Sequence, residues 1–84
     1  MLEFLDIDEE DVKNFHKRIV ENVKRVRKSK NITQSELAQT IGHKSVSTLG
    51  QIVSYYQNKH YNIEQLYKIS IALDVDICEF FKKD

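Results

Sequence analysis

From Val12 to Val26, apolar side chains return at steps of three and four: Val12, Phe15, Ile19, Val23 and Val26. That spacing draws one stripe along an α-helix and does not fit a half-buried β-strand, whose faces alternate every second residue. The rhythm comes back in Leu37, Ala38 and Ile41, in Val46, Leu49, Ile52, Val53 and Tyr56, and in Ile63, Leu66, Ile69, Ala72 and Leu73. Pro is absent and Gly occurs only as Gly42 and Gly50, so little interrupts these runs. The pattern predicts an all-α fold.

Capping signals divide the periodic runs into helices. Asp8 stands at an N-cap position, and Glu9, Glu10 and Asp11 follow where negative charge complements the helix dipole, so the first helix starts there and runs to about Ser29. Thr33, Gln34, Ser35 and Glu36 spell a capping box for a short second helix, which Gly42 is placed to end in a left-handed conformation. His43, Lys44 and Ser45 then form a turn, with Ser45 as the N-cap of a third helix reaching about Gln57. Asn62 with Gln65 repeats the box for a fourth helix, and Asp76 with Glu79 for a short fifth one carrying Ile77, Phe80 and Phe81. The expectation is a compact five-helix domain over residues 1–84 with an N-terminally extended first helix, an apolar and acidic extension at 1–8, and a paired-helix motif at 33–58. Eighty-four residues suffice for one hydrophobic core.

Net charge is zero, but its distribution is uneven. Residues 1–16 hold six acids against one base, residues 17–61 nine bases against two acids, and residues 62–84 five acids against three bases. A basic middle between acidic ends can steer that middle toward phosphates, and solvated helix faces produce similar runs by themselves. Lys13, Lys17, Lys24 and Lys28 share one face of the first helix. The Lys and Arg residues from Lys24 to Lys30 occupy its last turns, where they either complement the dipole or meet phosphate.

Two short helices joined by a tight Gly-containing turn describe a helix-turn-helix, whose second member enters the major groove. The words of the sequence agree. From Ile19 onward, and above all in the run from Arg27 through Thr33, Gln34, Leu37 and Ala38 to Gly42, the chain resembles the phage lambda repressor and Cro family, the XRE-type helix-turn-helix proteins. The stretch from Leu66 to Phe80 is similar to that family's fourth and fifth helices. This resemblance implies double-stranded DNA as the partner, binding as a homodimer, and a role as transcriptional regulator or repressor.

Carried over position by position, it implies that Gln34 touches the phosphate backbone and that Ser45, Ser47, Thr48 and Gln51 face the bases, with Lys44 on phosphate. Gln51 is the leading candidate, because a Gln amide can bond bidentately to an adenine edge. The sequence departs from the family after Gln51: the interval from Gly42 to Leu66 is longer, and the extra length belongs either to the third helix or to the loop after it. Tyr55, Asn58 and Lys59, with His60 and Tyr61, are then a backbone-contacting patch, or Tyr55 and Tyr61 cover the edge of the core.

Other chemistries lack their residues. His16, His43 and His60 are dispersed, the spacing of Cys and His resembles no zinc site, and there is no Gly-rich phosphate loop or nucleophile elbow. No metal, cofactor or enzymatic activity is expected. Cys78 reads as a small core or boundary residue. No apolar run approaches the roughly 20 residues that span a bilayer, and the acidic start lacks the features of a signal peptide, so no membrane partner is expected and the expected location is cytoplasmic. Candidate dimer surfaces are Leu2, Phe4 and Leu5 at the start and Phe80 and Phe81 at the end. A protein-interaction module on the same fold, such as an antitoxin or anti-repressor partner, is the alternative, since the third helix carries no Arg for direct readout.

Overall fold

Asp8 caps the first helix as its position promises: its carboxylate accepts from the Glu10 amide at 2.9 Å, and α1 runs over Glu9–Ser29. The computed structural model describes residues 6–42 and 45–83. Three further α-helices follow, α2 at Gln34–Ile41, α3 at Ser45–Val53 and α4 at Ile63–Leu73. Two 3-10 turns lie at Tyr56–Asn58 and Ile77–Phe81. Among the described residues there is no strand, as the apolar spacing requires.

Helix ends are set locally. Asn31 leaves α1 in the left-handed region (φ 59°), a conformation that Asn tolerates better than most residues. Arg27 then holds the connector through Nη1, which donates to the Ile32 carbonyl at 2.7 Å. Asn62 and Gln65 form a reciprocal box at the start of α4. Asp74, also left-handed, ends that helix, and the Val75 amide returns to the Ser70 carbonyl.

One core gathers Ile19, Val20, Val23 and Val26 of α1, Leu37 and Ala38 of α2, Leu49 and Ile52 of α3, and Leu66, Ile69 and Leu73 of α4, with Tyr61 and Phe80. α2 packs on both α3 and α4, and the last 3-10 turn packs on α1 and α4. A buried Asn22 joins chain ends in this core: its Nδ2 donates to the carbonyls of Phe80 at 3.0 Å and Lys82 at 2.8 Å. Its Oδ1 accepts from Arg25 at 3.2 Å. Removing that amide would leave buried carbonyls without donors, the costly half of a hydrogen bond.

Several expectations fail for tertiary reasons. Val12 and Phe15 are 40% and 39% exposed, because the Phe81 ring, 6.4 Å from that of Phe15, covers this face only in part and the buried stripe begins at Ile19. Ile63, Val46 and Tyr56, also expected inside, are exposed too. The short fifth helix stands where expected, after Asp76, but as a 3-10 turn: Asp76 accepts from the Cys78 amide at 2.9 Å. The Glu79 amide donates to the Asp76 carbonyl at 3.0 Å, while its carboxylate pairs with Lys82 instead of closing a capping box. Cys78 is exposed rather than in the core. The Asp76 carboxylate beside it pushes its thiol pKa up, while the amide bond holds the Asp76 carboxyl below its ordinary value. Phe80 is fully buried and offers no surface to a second copy, and half-buried Phe81 packs against the core. Leu2, Phe4 and Leu5 lie outside the described residues.

Candidate nucleic-acid interface

The motif begins with the capping box of α2. The Glu36 amide donates to Thr33 Oγ1 at 3.1 Å, and the Thr33 amide donates to Glu36 Oε1 at 3.2 Å. Leu37 and Ala38 anchor the helix in the core, which leaves Ser35, Gln39 and Thr40 exposed. Gln34 opens the helix, half-buried, and its Nε2 is shielded from solvent with no acceptor. An orphan donor of that kind is satisfied when the terminal amide rotates toward an incoming oxygen.

Between the helices, Gly42 takes φ 145° and ψ 144°. This is a positive-φ extended conformation rather than the left-handed helical one expected, and side chains other than hydrogen rarely adopt it. The Gly42 carbonyl accepts from the Ser45 amide at 2.9 Å, which closes the turn. Ser45 is thus the first residue of α3, not the residue before it. Lys44, with His43, lies outside the described residues.

α3 is pinned by Leu49 and Ile52, which are completely buried, with Val53 and Thr48 half-buried beside them. The opposite side carries Ser47, Gly50 and Ser54, all exposed, with exposed Val46 on one edge and half-buried Gln51 on the other. Sequence reasoning placed Ser47, Gln51 and Ser54 on this side, but it put Val46 inside and passed over Gly50. A Cβ built on Gly50 would meet nothing within 4 Å. No internal packing calls for a glycine there, although in a helix it costs about 0.5–1 kcal/mol relative to Ala. A glycine in the middle of an otherwise helical run was the signal available in the sequence. The open side of α3 therefore carries small side chains and no charge.

α3 ends at Val53, about one turn short of the expected end near Gln57. Tyr55 (φ 60°), Gln57 (φ 49°) and Asn58 (φ 59°) turn left-handed, so the extra length lies in the loop. Two tertiary contacts hold this bend. Tyr61 is buried in the core, where burial pushes its phenol up to about 12 against the opposing charge of Arg27. Tyr55 donates its hydroxyl to Glu21 Oε1 of α1 at 2.7 Å. Desolvation and then that carboxylate push Tyr55 up to about 12.

Tyr55, Asn58 and Lys59 thus line a cleft of about 320 Å³ against the first half of α1, opposite Lys13, His16 and Lys17. The Lys17 ammonium sits 5.7 Å from the Tyr55 ring centre. His16 and His60 stack with ring centres 3.7 Å apart and planes within 9°. Burial, then the neighbouring His60, lowers the His16 pKa. Of the nine predicted site residues, Gln34, Ser45, Ser47, Thr48 and Gln51 lie on the paired helices, three lie in this cleft, and Lys44 is outside the described residues. Among the described residues no group of His, Cys, Asp and Glu could hold a metal ion. None of the described helices is long and apolar enough to cross a membrane.

Two short helices packed together across a glycine turn, the second with its outer side open, define a helix-turn-helix module. The profile of the helix-turn-helix family matches residues 23–80, and the chain belongs to that family, the lambda-repressor-like or XRE type. It is a DNA-binding protein in this general sense. The match opens inside α1, so the exposed first half of that helix lies outside it. No curated protein and no solved structure matches the chain.

Proposed function

We propose that the protein is a sequence-specific transcriptional regulator that lays α3 in the major groove of its operator. The observation that carries this reading is the open side of α3, with Ser47, Gly50 and Ser54 exposed opposite fully buried Leu49 and Ile52. Small side chains let the helix backbone approach the base edges closely. Gln51 on the rim then reads a base, Ser47 and Thr48 add shorter contacts, and Ser45 and Lys44 meet the groove entrance. Gln34 and the amides of α2 take a flanking phosphate. Asn58 and Lys59 add backbone contacts beside the end of α3, whereas Tyr55, its hydroxyl already engaged by Glu21, positions the turn. Two copies bind together, because one module spans only a half-site.

Selection from random DNA at two salt concentrations tests this. A defined sequence should emerge, with affinity falling steeply as salt rises. Gln51→Ala should weaken the selected site by about 1–3 kcal/mol and leave random DNA unaffected. Equal losses on both, or no selected sequence, would remove the base-reading role. One observation favours a protein-interaction module instead: the open side of α3 has no charged residue. A stoichiometric protein partner together with no selected sequence would establish that second reading.

A further inference from the structure

We infer that the outward face of α4 is a two-fold interface between copies of this chain, centred on Tyr67. Ile63, Tyr67 and Ile71 remain 70%, 59% and 64% exposed. Single apolar residues on a surface are ordinary, but these three follow one another at intervals of four along one helix and so form a continuous stripe. The buried side of the same helix is fully occupied by Leu66, Ile69, Ser70 and Leu73. The stripe therefore has no function in the core. Beside it, Ile41 of α2 with Tyr67, Ile71 and Ala72 of α4 walls an open apolar groove of about 480 Å³.

Symmetry and charge identify the occupant as a second copy. Tyr67 lies midway between Ile63 and Ile71, so an antiparallel α4 related by a two-fold axis at Tyr67 sets Ile63 against Ile71 of the other copy at both ends. Such an axis brings the same flank of each helix together. That flank carries Glu64 and Lys68, which pair at 3.4 Å within one chain and are both solvent-exposed. In the antiparallel pair each Glu64 also faces Lys68 of the second copy, so the flank is electrostatically complementary to itself, whereas a parallel pairing would carry the two flanks to opposite sides and forgo this match. An unrelated protein has no reason to match this symmetry. The helix has 11 residues and is only about 16 Å long, so the contact is small and the dimer weak, with a dissociation constant on the order of micromolar.

This inference deepens the proposed homodimer, and its test uses no DNA, so the two readings fail separately. Sedimentation equilibrium over a wide concentration series should show reversible dimerisation of the full chain. Tyr67→Glu should raise the dissociation constant at least about tenfold while circular dichroism and melting temperature stay unchanged, since the residue lies outside the core. Glu64→Lys and Lys68→Glu should each weaken the dimer, and mixing the two variant chains should restore the association, a rescue that the pair within one chain, broken in both variants, would not give. A monomer at every concentration would overturn the interface. So would a dimer indifferent to both Tyr67→Glu and the charge exchange, or a stripe that binds a different protein while the chain alone stays monomeric.

Discussion

α2 and α3 are neighbours of eight and nine residues, yet they use their surfaces in opposite ways. α2 closes its first turn with a reciprocal box, a cap whose loss costs about 1 kcal/mol, and fixes itself with Leu37 and Ala38. α3 has an exposed glycine, an outer side of small side chains and a strained exit through three left-handed residues. Its place depends on Leu49 and Ile52 and on contacts made by the bend after it. The first helix is stabilised by its own sequence; the second is held by its neighbours so that its outer side can remain open. In a helix-turn-helix, the first member is a support and the second is presented.

The largest expected effect breaks the support for α3. Leu49→Ala should cost about 2–5 kcal/mol, since a fully buried leucine leaves both a transfer loss and a cavity. In a chain this short that is a large share of the total stability. Urea denaturation checks it, and a loss below about 2 kcal/mol, the least such changes cost, would mean that α3 is not fixed by its inner face.

Gly50→Ala sharpens the contrast from the other side. The new methyl meets open space, so it should stabilise the fold by about 0.5–1 kcal/mol and at the same time weaken binding to the operator. A variant that is more stable and binds DNA unchanged would show that close approach at this position is not needed.

The smallest effect is confined to the bend. His16 has its folded pKa lowered below the unfolded value of 6.5. The stability it contributes is therefore fully present above that value and is lost as the pH falls through the folded one, since burial and then the neighbouring His60 disfavour the charged His16 ring. Hydrogen-exchange protection at residues 54–60, measured relative to the intrinsic exchange rate at each pH, should fall on acidification, while α2 keeps its protection. Uniform behaviour of both regions would dissolve the distinction.

How much of this was legible in the sequence follows from the range of the interactions. The start of α1, the box of α2 and the box of α4 are written in residues two or three apart, and the structure has each where the sequence puts it. The end of α3 is not. Nothing between Val53 and Asn58 forbids another helical turn, and the projection extended the helix accordingly. The bend comes from Tyr61 entering the core and from Tyr55 reaching Glu21, 34 residues back. Asn22 was invisible for the same reason, because its partners lie 58 and 60 residues away. Of the candidate site, the polar side of α3 was legible through Ser47, Gln51 and Ser54, whereas the exposure of Val46 and the open space at Gly50 required coordinates.

The amino-acid order alone settled that this chain is helical, where three of its helices begin, and which family it joins, since caps, apolar spacing and family words act over a few neighbouring residues. Only the packed structure decided which part of each apolar stripe is covered, where α3 stops, and that α4 keeps three large side chains in solvent. Burial is a property of what lies opposite, and what lies opposite is chosen by contacts between segments far apart in the chain.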